Sequence, residues 1–146
     1  MTRYQKITPV LFAFWAGMIS AISFLEAWLK FKADGVTREI GLSIGQLIFT
    51  ALNRIEILLL ITIWALYFWQ NRVKIFKFST FNLLFWLVSI ILIIQTWWLL
   101  PQLLNRAELI IGGQEPSSSL VHLWFVFFES VKLVLLIILS IKAINK

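Results

Sequence analysis

Four stretches of this 146-residue chain are long and apolar enough to cross the hydrocarbon core of a membrane. A membrane-spanning helix needs roughly 20 predominantly apolar residues. The four candidate segments run over about 7–31, 44–69, 78–104 and 120–141. Only short connections remain between them, so the sequence predicts a single transmembrane domain over residues 1–146. The expected fold is an all-α integral membrane protein, a four-helix bundle that runs up-down-up-down.

The composition supports this class of protein. Sixty per cent of the residues are hydrophobic, mean hydropathy is +0.89, and the chain holds 8 Trp and 13 Phe. A soluble domain of this size could not bury so much apolar surface. The first segment is too long and too aromatic for a signal peptide and should be a retained helix. With no cysteines, the chain has no disulfide framework and no thiolate metal site.

The distribution of basic residues predicts the orientation in the membrane. Lys and Arg in short loops remain cytoplasmic, and on one side of the predicted bundle they occur with no acidic residue among them: Arg3, Lys6, Arg72, Lys74, Lys77, Lys142 and Lys146. Both termini should therefore be cytoplasmic, in the inner membrane of a bacterium. The net charge of +6 is then explained by attraction to anionic lipid headgroups, so the bilayer is the expected partner and no nucleic acid is implied.

Five charged residues interrupt the apolar segments, and they predict a buried polar site. A charge at the bilayer centre costs about 2.5–3.5 kcal/mol on insertion scales, so it is usually paired or functional. Counting about 1.5 Å of helix rise per residue places the polar groups of all four segments in the outer half of the membrane. We expect an outward-facing pocket lined by Glu26, Asn53, Arg54, Glu56, Gln95, His122, Glu129 and Lys132.

Helical spacing indicates how some of these groups are arranged. The second segment carries one polar stripe along its length, which consists of Gln46, Thr50, Asn53 and Glu56. Lys132 lies one turn after Glu129 and should pair with it at i,i+3. Arg54 points away from Glu56, and its expected partner is Glu26 on the first segment.

Small and helix-breaking residues predict further details of the packing. Small residues recur at every fourth position, which favours close approach of helices; these are Ala13, Gly17 and Ala21 in the first segment and Gly41 and Gly45 before and in the second. Pro101 should kink or end the third helix. One serine of the 117–119 run should cap the fourth helix.

The charged residues within the apolar segments admit three interpretations. They form a set of ion pairs that fixes helix register, a site for a ligand or ion, or a metal site. His122 with Glu129 and Glu56 resembles the carboxylate and histidine ligands of di-iron bundles. Because the paired Glu-x-x-His motifs of those proteins are absent, a satisfied interfacial histidine is favoured over a metal ligand. The sequence requires no cofactor and leaves the identity of any cofactor open.

Short motifs resemble a known family. They are Trp15-Ala16-Gly17 with Phe24-Leu25-Glu26, the run Ile44-Gly45-Gln46 through Phe49-Thr50-Ala51-Leu52-Asn53-Arg54-Ile55-Glu56, and His122, Glu129 and Lys132 in the last segment. This pattern resembles an uncharacterised bacterial family of four-helix membrane proteins, distantly related to the vertebrate TMEM-type protein of cisplatin resistance. The resemblance implies a four-helix integral membrane protein and brings no established reaction.

The expected function is to bind or pass a small ion or polar ligand at the outward pocket. Glu56 and Glu129 would hold a cation or proton against the counter-charges of Arg54 and Lys132. One alternative is a non-catalytic subunit or assembly partner of a larger membrane complex, or a homo-oligomer. A second alternative is a membrane enzyme that binds a metal or cofactor. Because no nucleotide, zinc or nucleophile motif is present, the sequence argues against an enzyme without excluding one.

Overall fold

The computed structural model describes the backbone of residues 3–70 and 79–145, with side chains over 6–69 and 79–145. Within these residues the only regular elements are helices. Four helices are long and apolar enough to cross a membrane, and we call them the first to fourth spans: Lys6–Lys32, Arg38–Trp69, Thr80–Ile111 and Val121–Ile144. The predicted all-α class and the four candidate spans are confirmed. The basic residues Arg72, Lys74, Lys77 and Lys146 lie outside the described residues, as does the predicted start of the third helix at 78.

Two of the spans change helix type along their length. The first consists of an α-helix over Arg3–Ile19, a π-helix over Ser20–Glu26, an α-helical turn over Ala27–Leu29 and a 3₁₀ turn over Lys30–Lys32. The third consists of an α-helix over Thr80–Ile94, a π-helix over Gln95–Leu99 and an α-helix over Leu100–Ile111. The second and fourth spans lie in single α-helices, Arg38–Gln70 and Val121–Ile144.

The second helix begins at Arg38, before the predicted start at 44. Its first turn is capped by Thr37, whose hydroxyl accepts a hydrogen bond from Ile40 N at 3.3 Å. The predicted start was too late because hydropathy marks only the apolar part of a helix. The fourth helix begins at Val121, and its N-cap residue is Leu120, so the predicted serine cap does not form at the N-cap position. Ser119 lies one residue earlier, and its hydroxyl accepts a hydrogen bond from Val121 N at 3.2 Å.

The third helix does not end at Pro101, so that part of the prediction is wrong, and a π-helix over Gln95–Leu99 lies just before the proline. Leu100 N donates to Gln95 O, which is an i→i+5 bond of the π-helix. Pro101 then lies in the first turn of the next α-helix, where its missing N–H is tolerated. The helix continues to Ile111 instead of ending at 104.

One end of the bundle is an apolar core, which we call the apolar end. All four spans contribute buried side chains to it, among them Phe12, Ile63, Phe85, Leu136 and Leu139. Phe12 and Phe85 meet edge to face with ring centroids 5.5 Å apart. This end is packed mainly with aliphatic and aromatic side chains, and its buried polar residues Asn82, Ser89 and Ser140 are hydrogen-bonded within the bundle.

The small residues pack differently from one another. Ala13, Gly17 and Ala21 are exposed, so within this chain they do not bring two helices together. Gly41 and Gly45 face the end of the first span, because a Cβ at Gly41 would overlap the Phe31 ring and one at Gly45 would lie 3.1 Å from Lys30 Nζ. These two glycines therefore let the second span approach the first.

Candidate functional site

A fully buried lysine pairs with two carboxylates at the centre of the bundle. Lys132 is 0 % exposed, and its Nζ lies 2.6 Å from Glu56 Oε1 and 2.7 Å from Glu129 Oε1. Glu56 and Glu129 are themselves buried. The predicted i,i+3 pair of Glu129 with Lys132 is confirmed, and Glu56 joins it from the second span.

Three uncharged side chains complete these contacts. Trp15 Nε1 donates to Glu56 Oε1 at 2.8 Å, and Ser23 Oγ donates to Glu129 Oε2 at 2.8 Å. Gln95 bridges the other two charges: its Nε2 donates to Glu129 Oε1 at 2.8 Å, while its Oε1 accepts from Lys132 Nζ at 2.6 Å. All four spans therefore meet in one network, which we call the charge cluster: Trp15, Ser23, Glu56, Gln95, Glu129 and Lys132.

Both π-helical stretches direct a polar group to the same carboxylate. Ser23 lies in the π-helix of the first span and Gln95 begins that of the third, and each donates to Glu129. A π-helical turn changes the angle at which later side chains leave the helix, and such turns are frequent at functional sites. The local departures from α-helix thus coincide with the charge cluster.

The charges of the cluster do not balance. Two carboxylates, Glu56 and Glu129, face one ammonium, Lys132, which leaves one formal negative charge in excess. Arg54 does not supply the difference, because its side chain is exposed. The predicted Arg54–Glu26 pair was wrong: Glu26 pairs with Lys30, one turn later on its own helix, at 3.2 Å.

A cavity of about 430 Å³ extends to the charge cluster from the end of the bundle opposite the apolar end. We call this the cavity end. All four spans line the cavity, mainly with apolar groups that include Phe24, Phe49, Leu103 and Phe125. Ser23 and Glu129 also line it, and through them the cavity contacts the charge cluster.

The cavity opens to the molecular surface near the end of the first span and the start of the fourth span. Trp28 and His122 are exposed and line it there. Lys30 also lines it, paired with Glu26, and its Nζ lies 5.7 Å from the centroid of the Phe49 ring. The wall of the cavity thus already holds one ammonium group against an aromatic ring.

The predicted metal ligands are not brought together. Among the described residues there is no group of three or more His, Cys, Asp or Glu side chains that could hold a metal ion. Glu56 and Glu129 are engaged by Lys132, whereas His122 lies two turns before Glu129 at the exposed part of the cavity. The arrangement suits hydrogen bonding and charge pairing more than metal coordination.

Four of the residues predicted to line the pocket belong to the charge cluster, and others do not. Glu56, Gln95, Glu129 and Lys132 belong to it, whereas Asn53 instead donates to Thr96 Oγ1 at 2.8 Å. Sequence reasoning missed Trp15 and Ser23. A buried indole N–H needs an acceptor, which was the available signal for Trp15, while a single serine in an apolar helix carries no comparable signal.

Comparison with family models, with curated proteins and with solved structures finds no match to this chain. The class that the fold defines is an all-helical protein with four potential membrane spans, compatible with a multi-pass membrane protein. Its candidate site is the charge cluster with the cavity that leads to it.

Proposed function

We propose that this protein is a multi-pass protein of a bacterial inner membrane, an up-down-up-down bundle with both termini in the cytoplasm. The support is the purely basic composition of the termini and of the 70–79 connection, against mixed charges near the other two connections. In this orientation the cavity end faces outward and the apolar end faces the cytoplasm. The bilayer is then its immediate surroundings.

We further propose that it binds a small molecule with an apolar body and one polar group. The observation that carries this proposal is an apolar cavity whose inner end is formed by a buried, hydrogen-bonded carboxylate, Glu129. Ligand sites combine mostly apolar walls with a few placed polar groups that fix orientation. A cavity of about 430 Å³ is also far larger than a bare ion needs, so the ligand is a molecule.

Binding is favoured over passage through a single copy. The apolar end buries Phe12, Ile63 and Leu136 beyond the charge cluster, and the hydroxyls of Ser89 and Ser140 that are buried there already donate to backbone carbonyls of the bundle. Desolvating a polar group without replacing its hydrogen bonds costs several kcal/mol. Passage would therefore need a second copy or another protein.

We also propose that the chain belongs to the bacterial four-helix family that its motifs resemble. Glu56, Glu129 and Lys132 are among the residues that carry the resemblance, and all three meet in the charge cluster. A binding site common to the family would explain why these three charged residues occur in otherwise apolar helices.

The binding proposal is tested by photolabelling with azioctanol, a photoreactive alcohol, on the protein in lipid nanodiscs. We expect saturable labelling of cavity-lining residues, located by mass spectrometry of peptides. Ala27→Phe and Ala107→Phe should each reduce it, because both alanines line the cavity. Ala51→Phe is the matched control, since Ala51 is exposed on the second span and does not line the cavity. Labelling confined to lipid-facing residues, or unaffected by either cavity variant, would overturn the proposal.

A further inference from the structure

We propose that the ligand of this cavity is an organic monocation, and that its binding releases one proton from the Glu56–Glu129 pair. This inference rests on the proposed function and specifies the ligand class of the same site. The exchange is balanced in charge: one cation enters the cavity and one proton leaves the carboxylates.

The charge of the cluster favours a cationic ligand. Glu56 and Glu129 face Lys132 alone, and the remaining members, Trp15, Ser23 and Gln95, are neutral. One negative charge in excess is costly in a buried, low-dielectric position. A proton taken up by the charge cluster removes this cost in the absence of a ligand, and a cation beside Glu129 removes it when a ligand is bound.

The other charged or titratable groups that border the cavity do not offset this excess charge. Lys30 lines it, but Glu26 lies 3.2 Å away and cancels its charge. His122 lies at the exposed part, on the turns that precede Glu129. The excess negative charge therefore belongs to the inner end of the cavity, where it would attract a cation and repel an anion.

The walls of the cavity also suit an organic cation. Phe24, Phe49 and Phe125 line the cavity, and the Phe49 and Phe125 rings meet edge to face with centroids 5.7 Å apart. Aromatic faces stabilise cations through their quadrupoles, most strongly where water is excluded. The Lys30 ammonium near the Phe49 ring is an instance of this contact within the protein. Apolar walls with an anionic inner end suit an amphiphilic amine or quaternary ammonium ion.

The test compares octyltrimethylammonium with octanol as competitors of azioctanol photolabelling in nanodiscs, with empty nanodiscs as the lipid reference. The two compounds share one alkyl chain and differ in charge. We expect the cation to compete at a concentration on the order of tenfold lower, the size of effect of one cation–aromatic contact. Equal competition, with cavity labelling intact, would overturn the cation proposal and leave the proposed function standing.

Proton release is measured by calorimetric titration of octyltrimethylammonium at one pH in two buffers of different ionisation enthalpy. This cation has no titratable proton, so any proton released must come from the protein. We expect about one proton per bound cation, since the cluster has one carboxylate in excess of its ammonium. Cation binding without proton release would overturn the exchange.

Two variants connect the effect to the cluster. Glu129→Gln and Glu56→Gln each remove the excess charge, and we expect either one to abolish both the cation preference and the proton release. Using both keeps the test decisive if one variant fails to fold, and azioctanol labelling reports whether the cavity persists. Glu108→Gln is the control, because Glu108 is exposed and does not line the cavity. Retained preference in a folded Glu129→Gln protein would contradict the proposal.

Discussion

Lys132 is the residue on which the packing of the polar interior depends. Its ammonium contacts side chains from the second, third and fourth spans, through Glu56, Gln95 and Glu129. The lysine is 0 % exposed, so these contacts replace all of its solvation. Removing one partner of a buried ion pair leaves the other charge uncompensated.

We predict that Lys132→Met destabilises the protein by about 3–5 kcal/mol, the usual cost of breaking a buried ion pair from one side. Combining it with Glu129→Gln should recover part of this loss, because one uncompensated carboxylate is removed as well. Denaturant titration in mild detergent, followed by circular dichroism, measures the free energy of unfolding. Lys142→Met is the control, since Lys142 is exposed near the end of the same helix. Equal midpoints for Lys132→Met and the native protein would contradict a structural role of the cluster.

The partners of charged side chains are predictable from sequence only when both lie on the same helix. Glu129 and Lys132 lie one turn apart on one helix, so their pairing follows from helical geometry alone. Arg54 and Glu56 are both charged residues of one apolar helix, yet only Glu56 is buried. Which of the two faces the bundle depends on the rotation of the second span, and that rotation is set by contacts with other helices.

Two glycines that both belong to a pattern of small residues four apart have opposite surroundings. Gly41 lies in the first turn of the second span beside the Phe31 ring, whereas nothing lies within 4 Å of a Cβ placed at Gly17. Both occupy helices, where alanine is intrinsically preferred to glycine. The difference between them is therefore a measure of helix approach.

We predict that Gly41→Ala destabilises the protein by about 1–3 kcal/mol, because the added methyl group forces the Phe31 side chain to move. Gly17→Ala should be neutral or stabilising by up to about 1 kcal/mol. Phe31→Ala in the Gly41→Ala background should restore most of the loss. Thermal unfolding in the same detergent compares the three variants, and equal effects of Gly41→Ala and Gly17→Ala would argue against the close approach of the first two spans.

The π-helical stretches were outside the reach of sequence reasoning. Pro101 indicated a disturbance near the end of the third apolar segment, and the disturbance lies just before it, over Gln95–Leu99. No corresponding signal marks Ser20–Glu26 in the first span. A π-helical turn is rare and is found mostly at functional sites, so the contacts of Ser23 and Gln95 with Glu129 help to account for these two stretches.

The proposed orientation in the membrane predicts which end of the fourth span is accessible from outside the cell. The chain contains no cysteine, so single cysteines can be introduced without background. Ser118→Cys, in the connection before the fourth span, should react with a membrane-impermeant maleimide in intact spheroplasts. Asn145→Cys, at the other end of that span, should react only after permeabilisation. The opposite pattern would reverse the proposed orientation, and labelling of both sites in intact cells would rule out a single spanning of the fourth helix.

The class of the protein and the residues from which a site could be built are both predictable from the order of the amino acids. Apolar length and composition belong to consecutive residues, and so does the cost of charges such as Glu56 and Lys132 within them. Three features are visible only in the folded protein: Lys132 bridges Glu56 and Glu129, Arg54 is exposed, and an apolar cavity ends at Glu129. These features depend on how each helix is rotated and which helices are its neighbours, and packing between distant residues sets both.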